Sequence, residues 1–467
     1  MPTSAPEPTE TVHTHQTASP VEPLVESVRR AIDSGDYQTL HPTLAMLHPA
    51  DFADLLEYLD RDARRSLLTA LQETLPIAVL AELDGGIRDE VLDLLPDRFL
   101  SQALGQLDSD DAVDIVEDLD PREAKSLLSQ VETGARWAVE DALRYPQYSA
   151  GRLMERAFVA LPEGFRVGQA IDFMRDAETL PSDFYVLYLV DTQFRPVGTV
   201  ALSRLMRAPR ATQLSAIATR EITSYPPEMD QEELAYRFRQ YGLVTVPITD
   251  ARSGRLLGVV TVDDVVHVID EEAEDDLLKL VGLAGGESDM QESLVVTARS
   301  RFVWLFVNLL TAIAAAIVIF YFQDAIDERA LLAVLLPIVA SMGGNAGTQT
   351  LAVAVRALAT KTLARANAWR YVRKEALVGL INGIAFALIA GAGASLIFPD
   401  EGWLLGLAVA LAMVVNLLVA ALSGTLIPLT LQRLGVDPAN ASTVFLTTIT
   451  DVIGFLAFLG LAVWLLA

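Results

Sequence analysis

The chain has 467 residues, 52% of them hydrophobic, a formal net charge of −26 and no cysteine. The absence of cysteine excludes a disulfide framework and thiolate metal sites, and acidity of this size disfavours nucleic acid, whose phosphates it would repel. The charge is uneven: residues 301–467 hold eight acids and nine Lys/Arg, which leaves 53 acids against 26 bases in the first 300 residues. A near-neutral apolar part thus follows a strongly acidic part that attracts cations.

Residues 1–20, rich in Pro, Thr, Ser, His and Glu, contain no apolar h-region. They predict a short disordered tail rather than a secretory signal. His13 and His15 could bind a metal, but a solvated tail is the plainer reading.

From 21 to 147 the pattern is a run of short amphipathic helices. LHPADFADLLEYLDRDARRSLLTAL (47–71) recurs as LDSDDAVDIVEDLDPREAKSLLSQV (107–131), with Asp51 matching Asp111, Asp54 matching Asp114 and Glu57 matching Glu117. A weaker copy lies between them. Stacked helix pairs with apolar faces of period 3.6 predict a small α-solenoid. Most of its acids form a solvated face; Asp110, Asp111 and Asp114, close together on one helix, are the exception.

From about 150 to 272 strands alternate with helices, again in two copies. VGTVALSRL (197–205) matches LGVVTVDDV (257–265), and YVLYLVD (185–191) matches LVTVPITD (243–250). Two small α/β modules follow from this alternation. They resemble a tandem CBS pair, a module that often binds adenine nucleotides. Thr261 and Asp264 match that family's T-x-x-D ribose-contacting pattern, whereas the first copy has Ala201 and Arg204 there. The resemblance therefore implies a nucleotide, such as ATP, in the second cleft only.

DDVVHVIDEEAEDD (263–276) packs eight carboxylates into fourteen residues. Like charges so dense repel one another unless cations neutralise them, although a solvated acidic helix end is the bland alternative. DMQESLVVTARSR (289–301) then leads into the apolar half as an amphipathic connector, placed to transmit domain movement to it.

Five apolar stretches, about 302–322, 330–356, 376–398, 403–432 and 442–466, are long enough to cross a bilayer, which needs roughly 20 residues each. The segment 356–374 carries Arg356, Lys361, Arg365, Arg370, Arg373 and Lys374, while the links QDAIDERA and FPDEG are acidic. The positive-inside rule places the basic segment and the N-terminal part in the cytoplasm and the C-terminus outside. Within the spans, PIVASMGGNAGTQT brings Pro337, Gly343, Gly344, Asn345, Gly347, Thr348 and Gln349 into the second, and Asn382 and Asn416 mark the third and fourth. Packing and ligation are about equally good readings of those two asparagines. TTITDVIGF sets Asp451 near the middle of the fifth. An uncompensated carboxylate there costs several kcal/mol, no Lys or Arg lies at comparable depth, and a cation is the simplest partner. Oxygen ligands without His or Cys suit a hard cation such as Mg²⁺, and a symmetric dimer would bring two Asp451 carboxylates to its axis.

Three other classes fit less well. An intramembrane metalloprotease needs H-E-x-x-H, yet all five His precede the membrane half; no enzyme is expected. An intramembrane carboxylate opposes a chloride path. A sensor anchored by inert helices leaves Asp451 and the GGN run without a purpose.

Together these features resemble the MgtE family of magnesium channels/transporters. The likeness rests on the P-x₅-GGN-x-G-x-Q run from Pro337 to Gln349 followed by RALAT, and on DP-A…TT-x-x-D leading to Asp451. It implies a multi-domain architecture in the order of the chain: a tail (1–20), a helical solenoid N domain (21–147), tandem CBS domains (148–276), a connecting plug helix (277–300) and an all-α membrane domain of five helices (301–467). On the resemblance, Asp451 binds hydrated Mg²⁺ in a pore on the twofold axis of a homodimer in the bacterial cytoplasmic (inner) membrane. Gly343, Gly344 and Asn345 line that pore, and Asp437 lies near its cytoplasmic mouth. Asp110, Asp114, Asp264, Glu272, Asp275 and Asp276 form Mg²⁺-sensing sites, with His267 a departure where an aspartate is common. The implied function is Mg²⁺ influx, closed when cytoplasmic Mg²⁺ binds between N domain, CBS pair and plug helix. The alternatives are a broader Mg²⁺/Co²⁺/Mn²⁺ transporter or a membrane-anchored Mg²⁺/nucleotide sensor.

Overall fold

A computed structural model describes residues 21–37, 39–71, 74–177, 180–181, 184–283, 294–440 and 443–466. The expected tail, with His13 and His15, and the first residues of the 289–301 connector lie outside them. The chain divides into two compact units after Val268.

Among the described residues, the first unit begins with α1 (Glu22–Ser34), α2 (His41–Leu44), α3 (Pro49–Tyr58), α4 (Arg61–Leu71), α5 (Gly85–Leu94), α6 (Asp97–Leu104), α7 (Ser109–Asp118), α8 (Pro121–Leu128) and α9 (Thr133–Ala142). The sequence recurrence becomes the helix pairs α3–α4, α5–α6 and α7–α8. Each short corner has a local cause. The Asp60 Oδ1 accepts from Ala63 N at 3.0 Å, and the Asp120 Oδ1 accepts from Arg122 N at 2.9 Å with Pro121 opening the helix. Leu55, Leu56, Leu67 and Leu68 join Val113, Val116, Leu127 and Leu128 in one core. Arg64 is fully buried there. Its guanidinium donates to Leu56 O (2.8 Å) and Leu59 O (2.9 Å) and pairs with Glu90 at 2.6 Å. It thereby satisfies carbonyls left open at the end of α3 and ties that end to α5.

Two α/β modules complete the first unit. In one, β1 (Ala160–Pro162) runs parallel to β2 (Val186–Val190), which pairs antiparallel with β3 (Pro196–Ala201). α10 (Val167–Asp176) crosses between β1 and β2, and α11 (Leu202–Arg207) and α12 (Leu214–Ile217) follow. In the other, α13 (Gln231–Tyr241) precedes β4 (Thr245–Thr249) and β5 (Leu256–Thr261), an antiparallel pair, and Tyr225 bridges parallel to Ile248 as β1 does to β2. The two copies share their register. Val186 lies opposite Ala201 and Thr245 opposite Thr261, with the same irregularity at Leu189/Val190 and Ile248/Thr249.

α14 (Val262–Leu280) is one unbroken helix through the whole acidic run. The expected boundary at 276 falls inside it, because no glycine or proline interrupts residues 262–280. The second unit is otherwise α15 (Leu294–Tyr321), α16 (Gln323–Glu328), α17 (Leu331–Ala359), α18 (Ala368–Ile397), α19 (Trp403–Leu434) and α20 (Thr443–Leu466). Likewise α15 is continuous across the expected boundary at 301. Five of these helices are long and apolar enough to cross a membrane: 297–321, 331–359, 368–397, 403–434 and 443–466.

α19 is the hub of this bundle, with α17, α18 and α20 packed around it and α15 lying on α20. Small residues allow the tightest contact. Gly379, Gly383, Ala387 and Gly391 repeat every four residues on α18 and are all buried. A Cβ at Gly379 would sit 2.6 Å from Ala421 and 2.9 Å from Leu417 O on α19, so the two backbones meet with no room for a larger side chain. α15 instead exposes Phe302, Leu305, Phe306, Leu309 and Ile317, as a lipid-facing helix does.

Candidate cation pathway and acid clusters

The polar residues of the bundle gather where α17, α19 and α20 meet. Asn416 of α19 is fully buried, and its Nδ2 donates to Val339 O at 2.8 Å. Its carboxamide is pressed between Gly343 of α17 and Gly454 of α20; any side chain at either glycine would overlap it. Asn416 is therefore a packing residue, although its Oδ1 has no hydrogen-bond partner among the described residues. Beside it, Gly347 packs on Leu446 and Gly344 on Thr447, so the GGN run lies directly against the TTITD run.

Asp451 falls between those contacts, four residues after Thr447 and three before Gly454, which sets its carboxyl at the level of the GGN run. It is half-buried on a helix of 24 residues with no other acid or base in it. No hydrogen-bond or ion-pair partner is found for it among the described residues. Asn345 is exposed on the flank of α17, its Nδ2 3.4 Å from Ser341 Oγ. Ser341, Asn345 and Gln349, spaced by four, make a polar row that the chain's own helices leave uncovered. Gly343 and Gly344 leave room for close packing, Gly343 on Asn416 and Gly344 on Thr447. Asp451 and the Asn345 row thus present side-chain oxygens at this level, and the glycines let α17 pack closely on α19 and α20.

Asp437, on the α19–α20 link, has a different environment. Its Oδ1 accepts from Ala439 N at 2.9 Å and its Oδ2 from Lys279 Nζ at 2.7 Å. Lys279 also reaches Asp275 at 2.5 Å, and Leu280 packs on Leu351, Val355, Ala439 and Leu446. The end of α14 is therefore clasped to the bundle by a salt bridge beside an apolar contact. Burial opposes the charge of Lys279, but its hydrogen bonds to Asp275 and Asp437 outweigh that and raise it above the ordinary lysine range. Burial and then Asp437, partly offset by Lys279, push Asp276 up to about 6, with Glu272 and Asp275 adding repulsion.

The remaining sensing candidates belong to a second cluster, in the first unit. The strand-like residues around Glu155 pair with β5: Glu155 N donates to Val259 O at 2.8 Å and Val259 N to Glu155 O at 3.0 Å. Ser109, at the start of α7, donates to Met154 O and accepts from Arg156 N. These ties bring Asp108, Asp110 and Asp111 of the α7 end next to Glu155, Asp263 and Asp264. Thr261 Oγ1 donates to Asp264 Oδ2 (2.7 Å) and to Glu155 Oε1 (3.2 Å).

Asp110 is buried, and its Oδ1 has no hydrogen-bond partner among the described residues. Burial, then the neighbouring Asp264, Asp111 and Glu155, raise its carboxyl well above the usual range. Burial, followed by Asp108 and Asp264, pushes Asp111 to about 7. Burial, then Asp264 and Asp108, pushes Glu155 to about 8. Burial outweighs the Thr261 hydrogen bond to put Asp264 at about 6. Among the described residues, no lysine or arginine is among the leading causes of these four shifts.

Asp114 differs, since Arg88 and Arg152 both act on it. His267 is exposed on α14. Asp264 and Asp276, twelve residues apart on one helix, lie about 18 Å from each other, so the six sensing candidates fall into two clusters. Among the described residues, no three such groups converge into a ready chelate; any ion bound here keeps water or draws the carboxylates inward.

A sign follows for the first unit. Asp111, Glu155 and Asp264 are pushed up to about 7, 8 and 6 in the folded unit, against an ordinary carboxylate value near 4. The folded unit then binds more protons than the unfolded chain. The contribution of these groups to stability is fully present below pH about 4 and is lost as pH rises through about 6 to 8. In the full-length protein with chelator, the urea midpoint of this unit, read by pulse proteolysis, should fall between pH 5.5 and 8.5. Added Mg²⁺ should raise it most at pH 8.5. A midpoint flat or rising with pH would contradict the arrangement.

Beside this cluster lies a cavity of 200 Å³ with Phe158, Tyr188, Thr245, Thr261 and Asp263 on its walls. Tyr188 stands on β2 of the first module and Phe158 just before β1, whereas Thr245, Thr261 and Asp263 come from the second module, the one that carries the T-x-x-D pattern. Sequence reasoning passes over Glu155 and Lys279: Glu155 gains its acidic neighbours through tertiary pairing, and Lys279, which also pairs locally with Asp275, meets Asp437 only in the fold.

Comparisons with known proteins show what the chain is similar to. The family model described as MgtE, divalent cation transporter, matches residues 336–461, that of the MgtE intracellular N domain 47–148, and that of the CBS domain 214–271. The CBS match covers the second module, the copy that keeps Thr261 and Asp264. Magnesium transporter MgtE of Thermus thermophilus is 31% identical over 448 residues, covering 94% of this chain and 98% of the relative. The protein of that name from Bacillus subtilis is 28% identical over 92% of this chain and 94% of its own length. A crystal structure of the cytosolic domain of the Mg²⁺ channel MgtE in complex with ATP matches 52% of this chain and 99% of that chain at 32% identity, with a TM-score of 0.49. With a relative of this identity matched along nearly its whole length, the chain belongs to the MgtE family of magnesium transporters.

Proposed function

We propose that this protein is a Mg²⁺-selective channel/transporter that admits Mg²⁺ across the bacterial cytoplasmic membrane and is closed by cytoplasmic Mg²⁺. The observation that carries the reading is Asp451, a carboxylate without a partner among the described residues, in mid-span and level with the GGN run. It works as a homodimer, two copies of Asp451 and Asn345 facing each other across the axis to hold a hydrated ion. The basic 356–374 segment lies in the cytoplasm with the N-terminal part, and the C-terminus lies outside. Residues 21–147 stack as a small solenoid, 148–276 form the CBS pair, and 277–300 connect them to the membrane domain at 301–467.

Gating follows from linkage. Ions held at Asp110, Asp264 and their neighbours, and at Glu272, Asp275 and Asp276, favour the closed state by the difference in their affinity for the two states. When Mg²⁺ falls, the bare carboxylates repel and the closed state loses that support. The 200 Å³ cleft takes an adenine nucleotide, with Thr261 and the aromatic walls as contacts. Selectivity is tested in proteoliposomes by comparing Mg²⁺, Mn²⁺, Co²⁺ and Ca²⁺. The reading expects Mg²⁺ to carry the greatest flux, and equal flux of all four would replace it with a general divalent pathway.

A further inference from the structure

The bundle contains a second polar recess, between α17, α18 and α19. It is a cavity of 170 Å³ with Gln349, Thr350, Glu375 and Asn382 on one side and Leu417 and Ala421 behind. Glu375 is only 9% exposed. The cation beside it, Lys374, is its chain neighbour, stands 3.9 Å away and has a side chain 71% exposed, so it neutralises the carboxylate weakly. One turn earlier, the Tyr371 hydroxyl is buried with no hydrogen-bond partner among the described residues. A buried carboxylate so placed is costly unless a further charge compensates it.

The recess continues the polar row of α17. Gln349 stands one turn from Asn345 toward the basic 356–374 segment, and Ala346 and Asn382 mark the end of the recess nearer Asn345. Its ligands are a carboxylate, two carboxamides and a hydroxyl, a set that favours a hard cation. One negative charge is too little for a bare divalent ion. Mg²⁺, however, keeps most of its waters and is often held by one or two carboxylates, and at about 30 Å³ per water the space admits roughly five.

We infer that Glu375, with Gln349 and Asn382, forms a second binding site for hydrated Mg²⁺, between the Asp451 level and the cytoplasmic end of the bundle. The inference rests on the proposed pathway for its role, but the binding itself is tested apart from flux. Glu375 draws the ion past a stretch whose six basic residues would otherwise repel it.

The chain has no cysteine, so one introduced at Val378, on the recess wall, is a specific probe. In the full-length Val378→Cys protein, iodoacetamide should label the thiol. Mg²⁺ should slow that labelling about fivefold at a concentration four times the site's dissociation constant. The slowing should persist with Asp451→Asn, vanish with Glu375→Gln, and return at higher Mg²⁺ with Glu375→Asp. The site is overturned if the thiol is inaccessible, if Mg²⁺ gives no protection, or if protection is equal with Glu375→Gln. Flux through Asp451→Asn in the same preparations judges the pathway separately.

Discussion

Asp451→Asn should lower Mg²⁺ flux about a hundredfold while leaving the protein folded and dimeric. The change is isosteric and removes only a charge. A divalent ion about 6 Å from a carboxylate gains roughly 5 kcal/mol at an effective dielectric near 20. Losing half of that cuts occupancy about a hundredfold. The packing around Asp451 runs through Gly343, Asn416 and Gly454 and does not use the carboxylate. Stability should therefore hold or improve, since a charge in mid-span is itself a cost. Initial rates of Mg²⁺ entering proteoliposomes, beside gel filtration of the same sample, decide this. Wild-type flux through a well-behaved Asp451→Asn protein would show that the ion passes elsewhere.

The second large effect concerns control rather than passage. Converting Asp264, Glu272, Asp275 and Asp276 to amides should leave flux at low Mg²⁺ within about twofold and raise the half-inhibiting cytoplasmic Mg²⁺ at least about tenfold, a loss of roughly 1.4 kcal/mol in differential binding. The two clusters make this divisible. Asp264 belongs with Asp110, Asp111 and Glu155, whereas Glu272, Asp275 and Asp276 belong with Lys279 and Asp437. Amides in either cluster alone should shift the inhibition part of the way, and both together should remove it. Inhibition unchanged in the combined variant would take the acidic run out of gating.

The five spans are legible in the sequence because long uncharged runs leave the chain few other choices, and the helices at 297–321 through 443–466 fall within a few residues of that reading except at the start of the third. The repeats are legible because equal apolar patterns fold to equal elements, down to the matching register of β2–β3 and β4–β5. What pattern cannot show is pairing over distance. Asp114 reads like Asp110 in sequence, yet Arg88 and Arg152 stand near it. Asp437 looks free but is held by Lys279, 158 residues away. Glu375 resembles one more charge of a solvated basic segment, and only Gln349, Asn382 and the wall of α19 show it lining a recess between helices. Asn416, an even choice between ligand and packing, is resolved by two glycines on different helices.

Feedback and passage meet in one measurement: the rate of Mg²⁺ flux through the wild-type protein in oriented proteoliposomes as Mg²⁺ on the cytoplasmic face is raised at a fixed inward gradient. The rate should fall steeply as that Mg²⁺ rises. A rate that does not respond to cytoplasmic Mg²⁺ would contradict the account.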